Sequence, residues 1–121
     1  MERLLGEGWE LSVFQEDGRL SMGIPVDCGH WSKSFDFDVS ERDYEVLLRD
    51  RRRRKTLEFV LHERLQDRMA KNDYENLENE MHGVIRTVLH GSAVDVEREI
   101  SASRSAGLIR IRLRDAGFEQ T

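Results

Sequence analysis

Cysteine and proline are almost missing from this 121-residue chain, with one of each, Cys28 and Pro25. One cysteine allows no internal disulfide, which fits a reducing compartment. One proline leaves long stretches open to helices. No stretch approaches the roughly 20 apolar residues of a membrane span. The segment Met1-Glu2-Arg3-Leu4-Leu5-Gly6 has no basic start, apolar run or small-residue cleavage site, so it does not read as a secretory signal. The expectation is a cytoplasmic chain with no membrane association.

The motifs that usually announce chemistry are also missing. No G-x-x-x-x-G-K-[ST] loop occurs, and Gly6-Glu7-Gly8 lacks the rest of a dinucleotide fingerprint. His62-Glu63-Arg64-Leu65-Gln66 is close to a zinc-protease pattern. That site needs two imidazoles one turn apart on one helix face, and Gln66 stands where the second belongs. His82 and His90 are eight residues apart, too far for one helical site. Cys28-Gly29-His30 sets a thiol near an imidazole in sequence, but an activated nucleophile needs a base and an orienting group in space, so it reads as a loop. No catalytic residue, metal ligand or cofactor is assigned, and the chain is expected not to be an enzyme.

What the chain has is charge and apolar periodicity. Charged residues make up 36% and apolar ones 38%, enough to bury a core. The net charge is −5, unevenly spread. Residues 1–40 hold eight acidic and three basic residues, whereas 41–70 hold seven and nine. An acidic amino-terminal third repels phosphate backbones and attracts a basic partner, which makes nucleic acid an unfavourable ligand. The candidate partner-binding residues taken from this distribution are Glu7, Glu10, Glu16, Asp17, Asp36 and Asp38. The opposite run, Arg51-Arg52-Arg53-Arg54-Lys55, has no interleaved aromatics, and acids such as Asp50 and Glu58 lie within helical reach of it. It reads as a solvated or ion-paired helix end. The alternative is a nucleic-acid-binding or regulatory module built on that run.

Periodicity orders the elements. Trp9, Leu11 and Val13 alternate with polar residues, and Phe14 follows out of phase. Glu16-Asp17-Gly18 is turn chemistry, and Leu20, Met22 and Ile24 alternate again, so a β-hairpin fills the first 25 residues. Phe35, Phe37 and Val39 alternate with Ser34, Asp36 and Asp38 in a third strand. Ser40 with Asp43 is a capping box for a helix from residue 41. That helix either breaks near 50–55 or lets Arg54 snorkel, because Arg54 falls on the apolar stripe of Leu47 and Leu61. Asn72 suits a C-cap and Asp73 an N-cap. Tyr74, Leu77, Met81, Val84, Ile85, Val88 and Leu89 then mark a long helix ending at Gly91, with Gly83 inside it as a place for close packing. Ser92 could cap a short helix. Leu108, Ile109, Ile111 and Leu113 against Arg110, Arg112 and Arg114 read as a final strand. Residues 115–121 read as a tail. The expected architecture is a single α+β domain over 1–121: an antiparallel sheet of about four strands, β-β-β-α-α-(α)-β, packed by helices on one face. If the third and last strands are neighbours, their acidic and arginine faces pair.

The run from Ser34 through Asp50, strand into capped helix, and its continuation Arg53 to Gln66 resemble cytosolic immunity proteins of bacterial polymorphic toxin systems, including contact-dependent growth inhibition. The resemblance covers about residues 31–90. It implies a bacterial binding protein that neutralises a cognate toxin domain by blocking its active site or holding it inactive. Such toxins are often nucleases, whose clefts are basic and would be met by an acidic face. It carries over no site residues, so the six acidic candidates rest on charge alone.

Overall fold

Among the described residues, four strands come first and five helices follow. The structure is a computed structural model and describes residues 1–118. The strands β1 (Glu2–Leu5), β2 (Ser12–Glu16), β3 (Arg19–Cys28) and β4 (Trp31–Val39) pair in chain order as one antiparallel meander. The helices are α1 (Glu41–Arg49), α2 (Arg51–Lys71), α3 (Leu77–His90), α4 (Ala93–Ser101) and α5 (Ala106–Asp115). The fold is α+β with a four-stranded antiparallel sheet.

The sheet has two unlike faces because side chains alternate along each strand. Register sets Met22 beside Phe37 and Ile24 beside Phe35, all buried on the helix side. Val13 joins them from β2. Ser21, Gly23 and Pro25 pair with Asp38, Asp36 and Ser34 on the other face. Asp17 and Gly18 take positive φ at the β2–β3 turn, the geometry a tight hairpin needs.

Helix α2 lies on β3 and touches α1, α3 and α5. Leu57, Val60, Leu61 and Leu65 are fully buried along it. Each such leucine contributes about 1.5–3 kcal/mol relative to exposure. The break before it comes at Asp50, whose ψ of 90° is not helical and whose carboxylate caps the Arg53 N–H at 3.1 Å. Arg54 then reaches back to the Leu47 carbonyl at 3.3 Å, so the chain both breaks and folds Arg54 over the break. The Ser40–Asp43 and Ser92–Asp95 capping boxes form, and Asn72 ends α2 in the left-handed conformation.

Several expectations are corrected. The segment 108–114 is not a strand but most of α5. Its seven residues satisfy both periods: Ile109 and Leu113, four apart, are buried, while Leu108 and Ile111 are exposed. Leucine and arginine favour a helix, and among the described residues no strand pairs with the free edge of β4. The pairing of Asp36 and Asp38 with Arg110, Arg112 and Arg114 therefore does not exist. Arg110 meets Glu97 and Arg112 lies 6.0 Å from the Phe59 ring. The expected hairpin forms as β2 and β3, but a further strand, β1, pairs with β2, and its four residues carry no alternation to read. Helix α3 starts at Leu77 after Asn76, not after Asp73. A Cβ on Gly83 would meet nothing within 4 Å, so that glycine marks no close approach. Of the segment read as a tail, Phe118 packs back, its N–H bonded to the Leu113 carbonyl at 3.0 Å and its ring 5.3 Å from Arg51. Residues 119–121 lie outside the described residues.

The helical register of α5 gives a direct test. A strand would put residues 109, 111 and 113 on one face, whereas the helix separates Ile111 from the other two. Ile111→Lys should change stability by no more than about 0.5 kcal/mol. Leu113→Lys, which buries an unpaired charge, should cost about 3 kcal/mol or more. Urea unfolding of both variants decides; equal losses would contradict the helix.

Candidate protein-binding face

No helix of the described residues packs on the outer face of the sheet at β4, where Ser32, Ser34, Asp36 and Asp38 are all exposed. Toward β1 the same face is roofed by two side chains. Phe14 lies over Gly23, where a Cβ would sit 3.2 Å from its ring and 3.1 Å from Asp36 Oδ1. The Arg3 guanidinium sits 5.4 Å from the Phe14 centroid and donates to Ser12 Oγ at 3.1 Å. Gly23 is thus small because the aromatic ring and the carboxylate need its space. Beside them Trp9, 68% exposed, borders a shallow hollow of about 330 Å³ with Phe14, Pro25 and Ser34.

The six acidic candidates separate here. Asp36 and Asp38 share the open face, two residues apart on β4. Glu16 stands on the same face of β2, opposite Arg19, and Arg19 reaches Asp38 at 3.5 Å. That ion pair is highly exposed and contributes little to stability. Asp17 occupies the hairpin tip and Glu7 the β1–β2 loop, both exposed but off the sheet face.

Glu10 has a different task. Its Oε2 accepts from Lys55 Nζ at 2.8 Å, and its Oε1 accepts from the Glu7 N–H at 3.2 Å. The Lys55 hydrogen bond holds the Glu10 carboxyl below its ordinary range, against a smaller opposing effect of burial. Glu58, 3.5 Å from the same ammonium, accepts the Leu11 N–H at 2.9 Å. Glu10 therefore ties the β1–β2 loop to α2.

The basic run is largely turned inward as well. Arg53 donates to the Val88 carbonyl at 2.9 Å, Arg54 to Leu47 and Lys55 to Glu10. Arg51 and Arg52 remain exposed.

The other sequence candidates have structural surroundings. Gln66 donates to the Asp27 carbonyl at 2.6 Å and clamps the end of β3 to α2. Burial, helped by the nearby charge of Arg112, holds the His62 imidazole below its ordinary value. Cys28 faces Trp31 across the hairpin, and His30 is exposed in the turn. Among the described residues, no group of three or more His, Cys, Asp or Glu is placed to hold a metal ion. No helix of the described residues is long and apolar enough to cross a membrane.

Charge reading missed Arg3, Trp9 and Phe14. One signal was present: Phe14 is apolar and out of phase with Val13, so both faces of β2 carry apolar side chains. The Arg3 contact had none, because it depends on the pairing of β1 with β2.

One carboxylate carries a measurable pH dependence. Asp43 closes the capping box on the Ser40 N–H at 3.0 Å and meets His90 Nε2 at 2.6 Å, joining α1 to α3. Burial raises its affinity for a proton, but the bonds from Ser40 and His90 outweigh this and hold the carboxyl below its usual range. Its contribution to stability is present above the ordinary aspartate value of about 3.9 and is lost as pH falls through the lower folded value. Asp43→Asn should cost about 1–2 kcal/mol at pH 7 and less as the pH approaches 2. Urea unfolding across that range checks it; a difference that stays constant with pH would refute the assignment.

No protein-family model, curated protein or solved structure matches this chain.

Proposed function

We propose that this chain is a cytoplasmic immunity-type inhibitor that binds and neutralises a cognate toxin domain by laying its outer sheet face over a basic active site, such as that of a nuclease. The observation that carries the reading is the uncovered β4 side of the sheet face, with Asp36 and Asp38 beside the small exposed side chains of Ser32 and Ser34. Small side chains there let a partner's backbone or side chains come close. Carboxylates at its margin favour a basic partner and disfavour acidic ones, which sets encounter rate and specificity. Trp9 and Phe14 supply the aromatic area that usually anchors such interfaces. The resemblance of residues 31–90 to immunity proteins points the same way. The rival reading, a nucleic-acid module on Arg51 to Lys55, is disfavoured by the inward contacts of Arg53, Arg54 and Lys55.

Glu16, Asp36 and Asp38 are exposed, so they can be reversed together without touching the core. The Glu16→Lys/Asp36→Lys/Asp38→Lys variant should keep its melting temperature within a few degrees. It should lose growth rescue when co-expressed with the cognate toxin domain, and its affinity for that purified domain should fall at least ten-fold, mainly through a slower association rate. Glu10→Gln should instead lower stability and leave affinity nearly intact. Unchanged rescue and affinity in the triple variant would overturn the docking face.

A further inference from the structure

A second concavity, independent of the sheet, opens between the start of α2, α4 and α5 and encloses about 730 Å³. That is the size of a small-molecule site, within the usual range of about 300–1,000 Å³. Its apolar lining comes from Val96 and Ile100 on α4, Leu113 on α5 and Phe118 beyond it. Half of its polar lining is arginine, Arg52, Arg53, Arg98 and Arg110, against two acids, Asp50 and Glu97. An excess of positive charge around an apolar hollow is unexpected in a chain of net charge −5.

The cations are not equally engaged. Arg53 meets Asp50 at 3.3 Å, Arg98 meets Asp95 at 3.5 Å, and Arg110 meets Glu97 and donates to Ser101 Oγ at 2.9 Å. The Arg52 guanidinium is exposed, with no ion pair or hydrogen bond among the described residues. A guanidinium is weakly hydrated and presents a planar fork that matches two oxygens of a carboxylate or phosphate. The apolar lining alone would accept any greasy molecule. The arginines add a preference for one that ends in an oxyanion.

From this we infer that the α2–α4–α5 groove binds an amphipathic small molecule, an apolar chain or ring ending in a carboxylate or phosphate. The apolar body lies on Val96, Ile100, Leu113 and Phe118, and Arg52, the one of these guanidinium groups unengaged among the described residues, receives the head. Sequence periodicity could not show this site. Its cations belong to the start of α2, to α4 and to α5, with those of α2 more than forty residues from the others in the chain.

Decanoate and decyl phosphate serve as probes, with decanol as the headless control and acetate as the tailless one. Isothermal titration against the full chain should give saturable one-to-one binding of decanoate, decyl phosphate or both. Whichever binds more tightly identifies the head. Decanol should bind at least ten-fold more weakly, and acetate should not saturate. Amide shifts in a ¹H–¹⁵N spectrum should concentrate in 50–56, 93–101 and 110–118. Arg52→Glu should lower the affinity at least ten-fold, whereas Arg86→Glu, the same charge change on an exposed residue of α3, should leave it within two-fold. Any one of four results overturns the inference: no saturable binding of either probe, shifts centred on other elements, decanol binding as tightly as decanoate, or equal effects of the two substitutions.

Discussion

Burial of α2 is the constraint on which the rest of this structure depends. One side of the helix sets Leu57, Val60, Leu61 and Leu65 against β3 and its neighbours, with no residual exposure. The margins of the same helix hold everything else by polar contacts. Lys55 and Glu58 fix the β1–β2 loop, and Gln66 fixes the far end of β3. Arg64 pairs with Glu99 of α4 at 2.8 Å, and Glu63 accepts the Ser105 N–H at the start of α5 at 2.8 Å. Helices α4 and α5 are short, and short helices depend on such tertiary support.

Because α2 and α3 occupy one side of the meander, the other side is left to solvent at β4. Its composition follows from that position. Serine, glycine and aspartate can stand on an exposed face without a core partner, while Phe35 and Phe37 between them cannot. Phe37 meets His82 of α3 edge-on at 6.0 Å, and Phe35 lies 6.4 Å from Tyr74. The outer carboxylates are thus held on a strand whose inner face is anchored by aromatics. A rigid strand presents Asp36 and Asp38 at fixed spacing, which suits recognition better than a loop would.

Much of the fold was legible because its strongest elements have unambiguous periods. Strand β4 alternates strictly, and α3 keeps apolar residues on one face from Leu77 to Leu89. The caps at Ser40, Asn72, Gly91 and Ser92 are local chemistry and formed where the residues pointed. Helix α5 was misread because seven residues of alternating leucine, isoleucine and arginine also fit a helix. The choice lies with whatever surface is available to bury two of them. Strand β1 was invisible because an edge strand of four residues is defined by its partner. On the outer face, the shared side of Asp36 and Asp38 was readable from alternation. The withdrawal of Glu10 into a contact with Lys55, forty-five residues away, was not.

By itself the sequence determined that this is an α+β chain with a core of its own, an acidic amino-terminal third and two carboxylates on one side of a strand. Those properties reside in composition and short-range pattern, which need no knowledge of long-range contacts. Only the tertiary structure decided which carboxylates face outward together and which basic residues are consumed internally. It alone brought the beginning of α2 beside α4 and α5, where arginines surround an apolar groove. These outcomes depend on packing between residues far apart in the chain, and a charge or a leucine carries no local mark of the partner it will meet.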